Sequence, residues 1–431
     1  MTSPAAQTLS SARIVFLTRD PVVHEQSGST SYIAGLLGLL RAQGADVTLV
    51  ATTAYSRSPR LFFRAVAETP PGVALRLPGY LHVGGYYLAP FRPKAWARMV
   101  SRLALRRRWL APLRSFVEQI YGPGLYTGAW DLTPPTPAEC EAAVREVSAA
   151  GATAVVANYC VWGPLLGDRR LGSRRTAILM HDLLSARVQR FVGSGTPLDM
   201  PPITEAEEMQ WLSGAETVFA AQEGEAEFVR RRVSSTVLVT PILLSPRALD
   251  PVAVVAGRCL FVGSNIPPNR TALEFLLEAV WPRVRAAAPG ARLAIAGTVG
   301  RVLSEGSAPR DIASLGIEVL GVVPSLEAEY ARAAVCVVPL RLGTGIKIKL
   351  LEALSFGKAI VSTSVGVEGL ERWAAGAVEI ADEAETFAAA MTRVLLDDEV
   401  RRQRECAALR LAEEQFGANR ELDPAFAEAL R

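Results

Sequence analysis

Lys347 and Lys349 stand just behind the glycine turn Gly343-Thr344-Gly345 in "LRLGTGIKIKLLEALSFGKAIVSTSVGVEGL". Two close cations at such a place could neutralise an anion, above all a phosphate. Glycines let backbone N–H groups approach phosphate oxygens, a helix start adds its dipole, and the lysines supply countercharge. The apolar spacing predicts a helix from Ile346 to Phe356 closed by Gly357, with Ile346, Leu350, Leu351 and Leu354 on one arc. Lysines in its first turn would stand at the partly positive end, which favours anions. The plainer alternative is a solvated face on which Lys349 pairs with Glu352, worth about 0.2–0.5 kcal/mol. It covers Lys349 only. At about 100° per residue Lys347 points into the apolar arc, so its ammonium must reach past the helix start, over the glycine turn.

Further candidates stand at the ends of strand-like runs. His181 closes "TAILMHD" beside Asp182 and could hydrogen-bond a substrate hydroxyl or phosphate, or simply form a His–Asp pair that stiffens a loop. Glu352 either pairs with Lys349 or accepts two ribose hydroxyls. Gly28, in "TRDPVVHEQSGSTS", is either a close approach to phosphate or an ordinary turn before a helix. The Walker A and GxGxxG spacings are absent, which counts against an NTPase and a dinucleotide oxidoreductase. The three histidines do not cluster and no Asp-x-Asp occurs, so the expectation is a site with no metal ligands and no cofactor.

The elements that must position these residues alternate. "RCLFVG", "ARLAIAG", "IEVLG", "VCVVPL", "AIVSTS" and "AVEIA" predict short buried strands with helical stretches between several of them, among them "NRTALEFLLEAVWPRVRAAAPG". Earlier in the chain, "RIVFLT", a helix around Ser29–Gln43, "DVTLV", "AVVANY", "TAILMHD", "AETVFAA" and "STVLVT" repeat the grammar. The expected fold is α/β, two doubly wound parallel sheets with a crevice at their carboxyl ends. The 431 residues suit two domains: 1–250 with an irregular insert at about 55–136, and 251–405, followed by a helical segment 406–431 that could cross back to the first domain. The joint is expected in "TPILLSPRALDPVAVVAG".

Composition bounds the partners. With 50% apolar residues, 21% charged residues and a net charge of +3, the chain resembles a well-buried globular enzyme and lacks a nucleic-acid footprint. Five scattered cysteines predict reduced, mostly buried thiols. The first residues lack a signal-peptide pattern and no run reaches the ~18 apolar residues of a membrane span, so a cytoplasmic location is expected. Residues 92–114 of the insert space Lys94, Arg98, Arg102 and Arg106 four apart among tryptophans and leucines. Such a helix offers either a peripheral contact with anionic membrane or an Arg-rich solvated face, and the second is the commoner case.

The stretch from Leu340 to Leu370, with "LFVGSNIPPNRTALEFLLEAVWPRV", "TAILMHDLLSAR" and "AETVFAAQEGEAEFV", resembles retaining GT-B glycosyltransferases of family 4, the "glycosyl transferases group 1" domain. The likeness is specific over Cys259–Leu370 and looser over Arg13–Gly44 and Thr176–Pro241. It implies a GT-B fold and transfer of a sugar from a nucleoside-diphosphate sugar with retention and without a metal. The acceptor would be a glycan, a lipid-linked compound or a small molecule. It also implies that Glu352 binds ribose, and that Gly343, Thr344 and Gly345 line the diphosphate. Lys347 and Lys349 would neutralise the leaving group, Gly28 would approach it from the first domain, and His181 would stand beside the transferred sugar. Two departures are visible: Gly345 falls where many members carry a sugar-contacting glutamate, and Ser264 and Asn269 fall where many carry Arg and Lys. Alternatives are a nucleotide-sugar epimerase of the same fold and a non-catalytic nucleotide-sugar-binding subunit.

Overall fold

The computed structural model describes residues 9–19, 28–52, 62–64, 69–88, 132–240, 246–247, 249, 253–305, 312–417 and 423–431. Two parallel sheets carry the architecture. The first contains β1 (Arg13–Thr18), β2 (Asp46–Ala51), β4 (Ala74–Arg76), β7 (Ala154–Asn158), β8 (Arg175–Met180), β9 (Thr217–Ala220) and β10 (Thr236–Val239). Its order is β10-β9-β8-β7-β1-β2-β4. The second contains β11 (Arg258–Val262), β12 (Arg292–Ala296), β13 (Ile317–Gly321), β14 (Val335–Val338), β15 (Ile360–Ser362) and β16 (Val378–Ile380), in the order β13-β12-β11-β14-β15-β16. Every pair in both sheets is parallel.

The strands are mostly apolar, their charged and polar residues falling mainly at the ends, because both faces are covered. In β1, Ile14 and Phe16 face one cluster while Val15 and Leu17 face another, the alternation that a pleated strand imposes. The first of these clusters runs on through the second sheet. It is joined by the short helix Pro424–Glu428, whose Phe426 ring lies 4.4 Å from that of Phe219 in β9. The terminal helical pattern is therefore two helices: Asp398–Phe416, which packs on helix Ile348–Ser355, and Pro424–Glu428, which packs on the first sheet.

Local chemistry sets two further departures. The helix that opens the second domain runs Pro267–Ala287, but residues Leu276–Val280 form a π turn. Pro282, which follows that turn, has no N–H to donate and its ring needs room beside the preceding carbonyls, and the wider turn gives it. The helix behind the glycine turn begins at Ile348, two residues later than its apolar spacing suggests. Lys347 is its N-cap residue, with extended backbone at φ −89° and ψ 103°.

Within the insert, β3 (Phe62–Arg64), β5 (Leu81–Val83) and β6 (Tyr86–Leu88) form a small antiparallel sheet. The basic segment 92–114, for which a membrane contact and a solvated face are the two alternatives, lies outside the described residues, as does most of the joint before residue 253. No described helix is long and apolar enough to cross a membrane. Cys160, Cys259 and Cys336 are buried free thiols, Cys140 is partly buried and Cys406 is exposed.

Candidate active site

In each sheet the strand order reverses beside its first strand, between β1 and β7 and between β11 and β14. Open α/β sheets bind ligands outside the carboxyl ends at such points. The two carboxyl ends meet here. Thr344 Oγ1, behind β14, donates to Asp182 Oδ2, behind β8, at 2.8 Å. Gly345 has φ +67°, and a Cβ built there would lie 2.7 Å from Asp182 Cβ. A side chain at 345 would be strained and would have to push Asp182 aside, so the absence of a carboxylate there fits the packing of one domain on the other.

On the second-domain side, Asn269 is buried and donates through Nδ2 to the Ser264 carbonyl at 2.9 Å. Its Oδ1 accepts from Lys349 Nζ at 2.5 Å. The fold thus joins Ser264, Asn269 and Lys349. Lys349 also sits over the Phe261 ring, 5.0 Å from its centroid. Among the described residues no carboxylate forms an ion pair with Lys349. Burial, against the pull of Glu352 and with some push from Lys347, lowers its ammonium to about 7. Glu352 accepts from the Tyr330 hydroxyl at 3.2 Å, so the local Lys–Glu pair considered from spacing is replaced by Lys349–Asn269 and Tyr330–Glu352.

Lys347 is treated differently. Its buried ammonium donates to the Gly345 carbonyl and lies 3.2 Å from Glu368 Oε2. Burial lowers its pKa, and Glu368 opposes that shift. Arg190 of helix Leu184–Gly193, in the first domain, donates to the Gly343 carbonyl at 2.6 Å and to both Glu368 oxygens. Burial acts to raise Glu368, but Arg190 and Lys347 hold it below the usual carboxylate range. Gly343, at φ +137°, needs the freedom of glycine to present its carbonyl in this loop.

On the first-domain side, His181 Nε2 donates to Asn158 Oδ1 at 2.6 Å, and Asn158 Nδ2 donates to Thr18 Oγ1 at 3.3 Å across the β1–β7 reversal. His181 does not pair with Asp182, whose oxygen is taken by Thr344. Burial depresses the imidazole to about 3, so it is neutral at physiological pH. The Tyr159 ring lies 4.5 Å from it and the Tyr32 ring 5.4 Å, edge-on. Tyr159 has φ +71° and ψ 156°, a conformation that costs a non-glycine residue about 1–3 kcal/mol. Gly28 is the first residue of helix Gly28–Ala42, which carries Tyr32 and touches helix Ile348–Ser355.

Sequence reasoning missed Asn158, Tyr159, Arg190 and Glu368. Asn158 had a signal, since it is the one polar residue ending the apolar run "AVVAN". Arg190 and Glu368 had none in their local patterns, being 178 residues apart. Among the described residues no three His, Cys, Asp or Glu side chains gather as a metal would require.

Two Rossmann-like sheets whose carboxyl ends face one another define the GT-B architecture. Residues 256–397 match the family model described as "Glycosyl transferases group 1". No curated protein sequence matches the chain. Solved structures with the same fold include sucrose-phosphate synthase from Thermosynechococcus elongatus, with TM-score 0.57, 16% identity, and coverage of 94% of this chain and 95% of that one. S. aureus TarM matches with TM-score 0.63 and 8% identity over 95% of this chain and 97% of the other. Anabaena HepE, solved in complex with UDP, matches with TM-score 0.59 and 10% identity over 94% and 96%.

Proposed function

We propose that this chain is a retaining glycosyltransferase that moves a sugar from a nucleoside-diphosphate sugar to a glycan, lipid-linked or small-molecule acceptor, without a metal. The observation that carries the reading is Lys349. It is a largely desolvated amine beside a helix start and behind a glycine loop, held by the neutral oxygen of Asn269 and by no carboxylate of a described residue. An amine placed so, its charge suppressed by burial and only partly restored by Glu352, suits an anion that arrives, recharges it and leaves. In this reading the leaving diphosphate lies along Gly343–Gly345 and the first turn of helix Ile348–Ser355, with Lys349 nearest and Lys347 behind it. Ser264 and Asn269 border the donor, Glu352 takes the ribose, and Gly28 approaches from the first domain.

Preorganised donors aimed at developing charge commonly supply the largest catalytic term, and here they are the Lys349 amine, with Lys347 and its Glu368 partner behind it, and the N–H groups of a helix start. His181 is neutral, so its role is to hydrogen-bond a sugar hydroxyl rather than to protonate the leaving phosphate at neutral pH. The match over 256–397 and the UDP complex of HepE support the same reading.

The test is a thermal-shift panel of UDP, GDP, ADP and TDP, alone and as their common sugars, on the parent and Glu352→Ala, followed by assay of donor hydrolysis and transfer. One nucleotide should raise the melting temperature selectively, about 2.7 kcal/mol of stabilisation at a hundredfold excess over Kd, and the shift should shrink in the variant. No shift with any nucleotide would contradict the donor site. Binding without turnover would leave a non-catalytic subunit, and an epimerised sugar would identify an epimerase.

A further inference from the structure

Tyr159 is the one non-glycine residue with positive φ among the described residues. At φ +71° and ψ 156° it occupies a region that is nearly glycine's alone. A glycine would sit there without steric cost, so what the side chain does must offset the backbone. Its N–H donates to the Leu179 carbonyl at 3.0 Å, which anchors the turn to β8 immediately before His181. In a regular strand Asn158 and Tyr159 would point to opposite faces. Here the positive φ brings both to the same imidazole: Asn158 Oδ1 takes Nε2 at 2.6 Å, and the Tyr159 ring lies 4.5 Å away at a tilt of 36°. Tyr32, from the helix that starts at Gly28, meets that imidazole edge-on.

We infer that Tyr159 is a positioning residue whose ring, set against the imidazole at the cost of a strained backbone, works with Asn158 to hold His181 in the Nε2-protonated tautomer, so that Nδ1 accepts a hydrogen bond from a substrate hydroxyl. The role of Nδ1 rests on the reading of the crevice as a sugar-transfer site; the clamp itself does not. A hydroxyl offered to an unprotonated nitrogen is fixed in direction, whereas a ring free to exchange tautomers would present a donor as often as an acceptor. The clamp therefore selects a neutral, hydroxyl-bearing ligand at this end of the crevice.

The experiment is imidazole ¹⁵N NMR of the full chain, in which only three histidines contribute and His181→Gln assigns the relevant pair of signals. The parent and Tyr159→Phe should show a single Nε2-protonated tautomer that stays neutral to about pH 5, below the ordinary histidine range. Tyr159→Gly should show mixed tautomers protonating nearer the ordinary value, with kcat lowered about tenfold or more at nearly constant donor KM. If the glycine variant does not fold, Tyr159→Leu, which keeps bulk without the aromatic face, takes its place with the same expectations. An unchanged tautomer and titration in Tyr159→Gly or Tyr159→Leu, or a Tyr159→Phe that behaves like them, would overturn the clamp. A parent that transfers no sugar yet shows the locked tautomer would overturn the sugar-transfer reading and leave the clamp standing.

Discussion

The two halves of the crevice use the same device on different side chains. In the first domain Asn158 Oδ1 holds His181, and in the second Asn269 Oδ1 holds Lys349. Each asparagine donates in turn to a neighbour, Asn158 to the Thr18 hydroxyl at the end of β1 and Asn269, from the helix behind β11, to the Ser264 carbonyl. A carboxylate in either place would have created an ion pair. An amide oxygen orients the nitrogen without supplying charge, so burial keeps the imidazole neutral and lowers the amine, which Glu352 only partly offsets. The neutral half, walled by Tyr32 and Tyr159, suits hydroxyls; the cationic half suits phosphates. Lys347 shows the contrast within one segment, because Glu368 has already neutralised it.

Changes that abolish or invert this asymmetry should have graded effects. Lys349→Met should weaken binding of a nucleoside diphosphate about tenfold to a hundredfold, the span of charge-assisted contacts of about 1.5–3 kcal/mol, measured by calorimetry. His181→Gln should leave that affinity within about threefold while slowing transfer, because its half of the crevice does not hold the phosphates. Gly345→Ala should lower the melting temperature by the equivalent of about 1–3 kcal/mol, since its Cβ would collide with Asp182 at a left-handed φ. Asn269→Asp gives Lys349 the countercharge it lacks and should weaken diphosphate binding about tenfold, near 1.4 kcal/mol. Arg190→Ala should cost least, about 0.2–1 kcal/mol in urea unfolding, because its pair with Glu368 is part-exposed and screened.

Much of this architecture is legible in the sequence, because parallel strands buried on both faces appear as short apolar runs. "RIVFLT" is β1 to the residue, and the runs later in the chain fall on their strands. The glycine turn and its lysines stand out for the same local reason. What the sequence conceals is where long side chains go. Lys347 does reach back over the glycine turn, to the Gly345 carbonyl, but its ion pair with Glu368 twenty-one residues on is not visible in the spacing. Lys349 passes over Glu352, its neighbour one turn away, for Asn269 eighty residues earlier in the chain. Pairings of that kind depend on which strand ends the sheet order brings together, and no local periodicity encodes them.

The sign of the proton linkage follows from Lys349. Its folded pKa of about 7 lies below the ordinary value of 10.5, so between these limits the unfolded chain binds more protons and this residue's contribution makes the folded state more stable as pH rises. An anion bound beside the amine reverses the shift and requires uptake of a proton. The most direct measurement is therefore calorimetry at about pH 8 of the diphosphate chosen by the thermal-shift panel, in two buffers of different ionisation enthalpy, on the parent and on Lys349→Arg. The expected result is uptake of close to one proton by the parent and almost none by the arginine variant, whose guanidinium is charged throughout. Equal uptake in both proteins, or none in the parent, would contradict the claim that a bound phosphate recharges the buried Lys349 amine.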